Sequence, residues 1–176
     1  MRRWRSAEDA LISLLPRGAR QGSSWFGRLG DVVQQPPVWA ALAAALALGG
    51  GARGRRAAVR GSVCYMVTAV VANGVVKPVV GRTRPPGGDE NRLGPVTSSF
   101  PSGHAATDLA FTLAASQELP VLFLALAPAT MAAHWSLVRS RGHYPSDVFF
   151  GGVLAIAVVL VAWRIWPPDA RTDGPT

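Results

Sequence analysis

The sequence is poor in the residues that build disulfides and metal sites. Among its 176 residues there is a single cysteine, Cys64, which lies within an apolar run. A lone cysteine excludes an intramolecular disulfide and argues against a cysteine-ligated metal. The ten acidic residues are scattered, without the carboxylate cluster that a hard divalent cation needs. We therefore expect neither a metal nor another cofactor.

Two further patterns are missing. The N-terminus is rich in arginine, but no apolar segment with a small-residue cleavage site follows, so we expect no signal peptide. The formal net charge is +8, yet the basic residues are not interspersed along an amphipathic period as in a soluble nucleic-acid binder. Short clusters of cations instead separate apolar blocks, and 49% of the residues are hydrophobic. This pattern is typical of a multi-span membrane protein without a nucleic-acid partner.

The apolar blocks predict an all-α integral membrane bundle of about five transmembrane spans. We expect an interfacial helical arm over residues 1–35, a transmembrane core over residues 36–167 and a polar tail over residues 168–176. The arm is interpreted as one or two helices lying on the membrane, the alternative being a poorly ordered basic tail. The predicted spans are 38–48, 61–80, 102–116, 119–138 and 145–166, with Arg53, Arg55, Arg56 and Arg60 in the loop between the first two.

With this arrangement, the end of the second span and the start of the third lie on the same side of the membrane as the end of the fourth and the start of the fifth. The conspicuous polar residues of the sequence fall at these four ends, in three clusters. The first cluster contains Lys77, Arg82 and Arg84. Three cations so close together can clamp an anion, whereas a lone lysine at a span end would only reach toward the membrane surface.

The second cluster is Pro-Ser-Gly-His at residues 101–104, directly before an alanine-rich apolar run. Ser102 is predicted to cap the helix that follows, and Gly103 leaves the backbone N–H groups open to a ligand. The free amides and the positive end of the helix dipole favour an anion there. His104 would stand beside that anion as a proton donor or acceptor.

The third cluster precedes the last apolar block. Pro145 is predicted to begin a helix, which places Asp147 in the first turn, where its carboxylate can reach back as in a capping box. If Asp147 accepts a hydrogen bond from one ring nitrogen of His143, the other nitrogen is free as a nucleophile or base. The alternative is a satisfied helix cap without a catalytic role.

The three clusters, in this order, resemble the motifs of the type 2 phosphatidic acid phosphatase superfamily of membrane lipid phosphatases. Its pattern is Lys-x6-Arg-Pro, then Pro-Ser-Gly-His, then Ser-Arg-x5-His-x3-Asp. The matching positions are Lys77, Arg84 and Pro85 for the first motif, residues 101–104 for the second, and Ser136, His143 and Asp147 for the third.

The resemblance implies a metal-independent phosphatase with a phosphohistidine intermediate. It assigns the nucleophile to His143, oriented by Asp147. His104 would protonate the leaving group and later activate water. The phosphate oxygens would be held by Lys77, Arg84, Ser102 and the Gly103 N–H.

The same resemblance implies a substrate of the phosphatidate, phosphatidylglycerophosphate or polyprenyl phosphate class and a place in a bacterial inner membrane. Sidedness and oligomeric state stay open. The arginines between the first two spans favour an outward-facing active site by the positive-inside rule, but the six arginines of the N-terminal arm favour the opposite. We expect an outward-facing site by a small margin.

One position departs from the family pattern: Leu137 stands where the third motif has arginine. Arg141 lies four residues on, one helical turn along the same face if the helix continues, and Arg139 is also close. We expect Arg141 to supply the missing phosphate contact. Two alternatives remain, a vanadium-haloperoxidase-like enzyme and a non-catalytic relative that binds phospholipid headgroups.

Overall fold

The computed structural model describes residues 2–14, 25–86 and 98–168, and every regular element among them is helical. The all-α class is thus confirmed. Predictions that concern residues 15–24, 87–97 and 169–176 lie outside the described part of the chain. The elements are α1 (Arg2–Leu14), α2 (Trp25–Val33), α3 (Pro36–Gly49), α4 (Gly51–Ala69), a π-helical stretch (Val70–Val76), α5 (Lys77–Val80), α6 (Gly103–Ser116), α7 (Val121–Arg139) and α8 (Pro145–Ile165).

Three of these helices are long and apolar enough to cross a membrane. They are the continuous helix Gly51–Val80, which joins α4, the π-helical stretch and α5, together with α7 and α8. Their outer faces carry large apolar side chains that are exposed, such as Met66, Leu124 and Leu160, which suits a lipid environment. Helices α3 and α6 have 14 residues each, so the number of five spans stays a prediction.

Helix α6 lies at the centre of the bundle, in contact with α4, α7 and α8. Ala105, Ala110 and Ala114 of this helix are fully buried. Because small side chains let helix backbones approach closely, the alanine-rich sequence of α6 suits a helix that is surrounded on most sides. Packing against its neighbours thereby fixes the position of α6, including its start, where the second polar cluster lies.

The predicted loop of arginines between the first two spans is wrong. Helix α3 ends at Gly49 and α4 begins at Gly51, so the whole basic cluster lies within α4. Gly51 has a positive φ of 60°, and Gly54 lies so close to the Leu46 carbonyl oxygen that a side chain there would collide with it. The glycines therefore let the chain reverse within one residue and continue directly as helix.

Arg60 of α4 is fully buried. The helix tolerates this buried cation because acceptors surround its guanidinium. Its Nε donates to Glu118 Oε1 at 3.0 Å and its Nη1 to Gln117 Oε1 at 3.1 Å, while Nη2 donates to the Trp166 carbonyl oxygen. The guanidinium also lies 4.5 Å from the centre of the Trp166 ring. Arg56 binds the other oxygen of Glu118 at 3.1 Å. We call these five residues the distal clasp, because they join α4, the α6–α7 connection and the end of α8.

Candidate active site

The first polar cluster is aimed by a local change of helix type. Pro78 has no N–H to continue the α-helical ladder, and the chain before it widens into the π-helical stretch Val70–Val76. As a result Asn73 and Lys77 both face the start of α6. A Cβ on Gly103 would lie 2.9 Å from Asn73 Oδ1 and 3.4 Å from Lys77 Nζ. A side chain at residue 103 would therefore displace the end of the Asn73 side chain, and Asn73 is a site residue that the sequence analysis missed.

The two ends of the connection between α5 and α6 are held side by side. Gly81 ends α5 with a φ of 58°, which favours glycine. Beyond it the Arg82 N–H donates to Ser98 Oγ at 2.9 Å, and the Ser99 N–H donates to the Arg82 carbonyl oxygen at 2.8 Å. This pairing brings Arg82 and Arg84 to the beginning of α6.

Helix α6 begins as the sequence predicts. Ser102 is the N-cap, and its Oγ accepts from the Ala105 N–H at 3.4 Å. The Ser102 N–H donates to the Asp147 carbonyl oxygen at 2.9 Å, which ties the start of α6 to the start of α8. A Cβ on Gly151 would lie 2.7 Å from the Ser102 carbonyl oxygen, so the two helices approach this closely only because residue 151 is glycine.

The ring of His143 is held in one tautomer by its two partners. Its Nδ1 lies 2.8 Å from the Ser99 carbonyl oxygen, and its Nε2 lies 3.4 Å from Arg84 Nη1. A carbonyl oxygen can only accept and an arginine can only donate, so the proton is on Nδ1 and the lone pair is on Nε2. Asp147 Oδ2 is 3.7 Å from Nδ1, farther than a hydrogen bond. The direct partner of His143 is therefore a backbone carbonyl that the sequence analysis did not consider.

Asp147 is fully buried in the first turn of α8, which begins at Pro145 as predicted. Its Oδ2 accepts from the Tyr144 N–H at 2.9 Å, and this confirms the predicted capping box. Its Oδ1 accepts from Arg82 Nη1 at 2.8 Å. Asp147 thus fixes the backbone next to His143.

Arg82 does not join the anion clamp with Lys77 and Arg84. Its Nη1 also donates to Ser146 Oγ at 2.6 Å, and its Nη2 donates to Glu8 Oε2. The other oxygen of Glu8 accepts from the Ser146 N–H at 3.1 Å. The sequence analysis missed Glu8, because it lies 74 residues from Arg82 and no local pattern joins the two.

Burial and neighbouring charge shift three pKa values in and beside the site. Burial lowers the pKa of His143, and Asp147 offsets this only in part, so the imidazole is neutral near pH 7. Burial also lowers the pKa of Arg84. Burial alone would raise the pKa of Glu8, but the bonds from Ser146 and Arg82 outweigh it and the net shift is downward, so Glu8 is ionised.

The predicted position of Arg141 is wrong. Helix α7 ends at Arg139, and Arg141 has a φ of 57°, so it does not lie one helical turn after Leu137 on a common face. Leu137 itself is buried, with 4% of its surface exposed. The guanidinium of Arg141 donates to two backbone carbonyl oxygens, those of Pro86 at 3.3 Å and Ile12 at 3.4 Å.

The remaining predicted site residues converge at one end of the bundle. Gly103 faces Lys77, Arg84 contacts His143, and the Ser102 N–H donates to the backbone carbonyl oxygen of Asp147. The exposed side chain of His104 lies within electrostatic reach of His143, Lys77 and Arg84.

Comparison with known proteins identifies the family and the fold of the chain. The family model described as the PAP2 superfamily matches residues 58–171. The chain belongs to the PAP2 superfamily. Its fold is similar to that of a transmembrane PAP2-type phosphatidylglycerolphosphate phosphatase from Bacillus subtilis, with a TM-score of 0.69 and 16% identity over 94% of this chain and 87% of that chain. No protein with a curated description matches. The PAP2 fold and the apolar helices confirm an integral membrane protein.

Proposed function

We propose that this PAP2 protein is a membrane phosphatase that hydrolyses a lipid phosphate or diphosphate through a phosphohistidine. The observation that carries the proposal is the state of His143. Its Nδ1–H is held by the Ser99 carbonyl oxygen, and its Nε2 lone pair lies beside Arg84. A neutral imidazole that carries its lone pair on Nε2, beside a cation that can bind phosphate, is suited to attack phosphorus.

The groups around His143 suit the charge of a phosphoryl group. Lys77, Arg84, Ser102 and the Gly103 N–H are assigned to the phosphate oxygens. Most of the catalysis of phosphoryl transfer is positioning and stabilisation of negative charge, so fixed cations and helix amides are the groups that the reaction needs. A Cβ on Gly103 would lie 3.4 Å from Lys77 Nζ, and this proximity supports the assignment of the two residues to one anion site.

The reaction is proposed in two steps. In the first, His143 Nε2 attacks phosphorus, and the bond between phosphorus and the leaving oxygen breaks with its electron pair remaining on oxygen. His104 gives that oxygen a proton. In the second step His104 takes a proton from water and the resulting hydroxide attacks phosphorus. The P–N bond then breaks, its electron pair returns to Nε2, and inorganic phosphate leaves. The leaving group is a lipid alcohol from a monophosphate, or a lipid phosphate from a diphosphate.

The substrate classes proposed are phosphatidate, phosphatidylglycerophosphate and polyprenyl phosphates. A lipid substrate is supported by the exposed apolar side chains on α4, α7 and α8, which place the site in a protein surrounded by bilayer. Release of phosphate from a panel of these lipids, by purified protein in nanodiscs, would rank the substrates.

His143→Ala is the central test. We expect phosphate release to fall to the background rate, since removal of a nucleophile from a hydrolase can cost about 10⁶-fold. A phosphoenzyme trapped by acid quenching of radiolabelled substrate should disappear with it. Ser140→Ala, in the same α7–α8 connection, is the matched control and should keep the wild-type rate. If His143→Ala retains about a tenth of the rate or more, His143 is not the nucleophile.

A second candidate function is supported by one observation. Leu137 is buried and offers no cation where the family has arginine, which favours a PAP2 relative that binds lipid headgroups without hydrolysis. Phosphate release from any lipid of the panel would exclude this candidate. The haloperoxidase-like alternative has less support, because those enzymes are soluble and this chain has three long apolar helices among its described residues. Halide oxidation would test it directly.

Metal independence is part of the proposal. Within residues 2–14, 25–86 and 98–168, no three His, Cys, Asp or Glu side chains are grouped so as to hold a metal ion. We therefore expect phosphate release to persist in excess EDTA. A rate that collapses with chelator and returns with Mg²⁺ would contradict the scheme.

An outward-facing site in a bacterial inner membrane remains a proposal. Arg56 and Arg60 carry less weight for sidedness than the sequence suggested, because both are paired with Glu118. Labelling of Gly49→Cys and Ser140→Cys, each in a Cys64→Ala background, with a membrane-impermeant maleimide would decide the orientation. The outward-facing proposal requires only Ser140→Cys to react in intact cells.

A further inference from the structure

Arg82 joins two parts of the chain that are far apart in sequence. Its Nη1 is bound to Asp147 and its Nη2 to Glu8, while the guanidinium lies 4.1 Å from the centre of the Tyr144 ring. The Arg82 side chain is only 10% exposed and the Glu8 side chain 11%. Both charges are thus largely withdrawn from water and matched to each other, as buried ions must be.

The contacts of Arg82 affect His143 through Asp147. The two oxygens of this carboxylate have different partners, the Tyr144 N–H for Oδ2 and Arg82 for Oδ1. The carbonyl oxygen of Asp147 in turn accepts from the Ser102 N–H. A shift of Asp147 would therefore move both the start of α6 and the backbone that carries His143.

We propose that Glu8 and Arg82 are a positioning pair: Glu8, carried by α1, holds the Arg82 guanidinium against Asp147, and Asp147 in turn fixes His143. The inference rests on the proposed phosphatase function and extends it, since it assigns α1 a role in catalysis. Neither member of the pair touches the substrate.

The chemistry of the Arg82 side chain explains why it needs Glu8 as a partner. An arginine side chain has many rotamers, and ordering it costs up to about 2 kcal/mol of conformational entropy. Carboxylates on both sides and a ring beneath it remove that freedom, and the planar fork of guanidinium suits two carboxylates better than the point charge of lysine.

Without Glu8, Arg82 could turn toward the anion held by Lys77 and Arg84, and Asp147 would lose its charged partner. Glu8 also accepts from the Ser146 N–H at the start of α8, so its loss leaves that amide without its acceptor.

The neighbouring residue Asp9 provides a matched control. It lies on the same helix and carries the same charge, but its side chain is exposed and its carboxylate accepts from the Tyr144 hydroxyl at 3.1 Å. Asp9→Asn therefore removes one charge from α1, keeps an oxygen that can accept from the Tyr144 hydroxyl, and leaves both carboxylate partners of Arg82 in place. Comparison of Glu8→Gln with Asp9→Asn separates the positioning pair from the general docking of α1.

The kinetic test uses full-length protein in nanodiscs and a lipid from the panel that the wild type hydrolyses. Arg82→Gln should lower kcat about 10- to 100-fold and Glu8→Gln about tenfold, as is typical for residues that orient a catalytic group, while KM stays unchanged. The double variant should be little slower than Arg82→Gln alone, because the main effect of Glu8 on catalysis passes through Arg82. Arg82→Lys should recover part of the rate, and Asp9→Asn should match the wild type. Thermal unfolding of each variant checks that it is folded.

A second measurement does not depend on turnover. The chain has three histidines, so their ¹⁵N NMR signals can be assigned by single substitutions. In the wild type and in Asp9→Asn, His143 should show the Nδ1–H tautomer. In Glu8→Gln and Arg82→Gln the signal should move toward a mixture of tautomers.

Several outcomes would overturn the inference: a kcat of Glu8→Gln equal to that of Asp9→Asn, independent losses that multiply in the double variant, or an unchanged His143 signal. Failure of the proposed function looks different. In that case the wild type releases no phosphate, yet the tautomer of His143 still responds to Glu8→Gln and not to Asp9→Asn.

Discussion

Two buried arginines, Arg60 and Arg82, occupy opposite ends of the bundle and are held in nearly the same way. Each is bound to carboxylate and lies over an aromatic ring, Trp166 for Arg60 and Tyr144 for Arg82. The difference is what the partners do. The partners of Arg60 belong to helix ends without motif residues, whereas those of Arg82 include Asp147 beside the proposed nucleophile. The same arrangement is therefore expected to stabilise the fold at the distal end and, by our proposal, to orient His143 at the other end.

Breaking the distal clasp should have the largest effect on stability. Arg60→Gln leaves Glu118, whose side chain is 3% exposed, with only the partly exposed Arg56. Loss of one partner of a buried ion pair costs about 3–5 kcal/mol in the free energy of unfolding. Denaturant unfolding in micelles should show this loss, while kcat of the folded protein stays at the wild-type value. A fall in kcat as large as that of Arg82→Gln would erase the distinction between the two ends.

At the active-site end, the rate losses of two arginine variants are compared, one at Arg84 and one at Arg141. Arg84→Ala should lose about 2.7–4 kcal/mol of transition-state stabilisation, or 10²–10³ in rate, because the guanidinium lies against His143 Nε2. Arg141→Ala should lose less, since that guanidinium is already bound to two carbonyl oxygens. Phosphate-release rates of the two variants decide the order. Should Arg141→Ala be the slower one, Arg141 turns to the substrate and replaces the arginine absent at Leu137.

Glycines at the two ends offer a matched pair of smaller changes. Gly54→Ala forces a methyl group onto the Leu46 carbonyl oxygen, and Gly151→Ala places one 2.7 Å from the Ser102 carbonyl oxygen. Each should destabilise the protein by about 1–3 kcal/mol. Only Gly151→Ala should also lower kcat, because it displaces the amides at the start of α6. Equal kcat values for both variants would show that the site tolerates this displacement.

The smallest predicted effect is a pH dependence of stability. It is expected from His143 at the active-site end and not from the distal clasp. The pKa of His143 is lowered by burial, so its ¹⁵N NMR titration should have a midpoint below the ordinary value of about 6.5. The folded protein then binds fewer protons than the unfolded chain. The stability linked to this pKa is full above about pH 6.5 and is lost as the pH falls from there toward the folded value. His143→Asn should remove that pH dependence and leave the distal clasp unaffected. A midpoint at or above 6.5 contradicts the prediction.

Local patterns in the sequence predicted much of this molecule correctly. The capping box of Asp147 and the start of α6 at Gly103 follow from residues within one turn of each other. Helices α7 and α8 also begin and end close to their predicted positions. The predicted loop at Arg53 to Arg60 was wrong, because hydropathy counts each arginine as exposed, while the partners of Arg60 lie 58 and 106 residues further on.

The active site shows the same limit. The motifs singled out His143, Asp147 and the residues proposed to hold phosphate, and these residues lie at one end of the bundle. The partner of His143 is the carbonyl of Ser99, and a backbone group leaves no signature in a sequence. The sequence analysis grouped Arg82 with Lys77, but Arg82 is bound instead to Glu8 of α1 and to Asp147 of α8. Residues that act through distant partners can be recognised only after folding has brought those partners together.

The distal clasp also sets an order of events during biosynthesis. The ribosome adds Arg60 58 residues before Glu118 and 106 before Trp166. At about 5–20 residues per second, α4 exists for several seconds without any of these partners. Until they have been made, the charge of Arg60 lacks both the carboxylate of Glu118 and the carbonyl oxygen of Trp166. We therefore expect α4 to gain its full stability only after the end of α8 has been synthesised, so the first long helix depends on the last one.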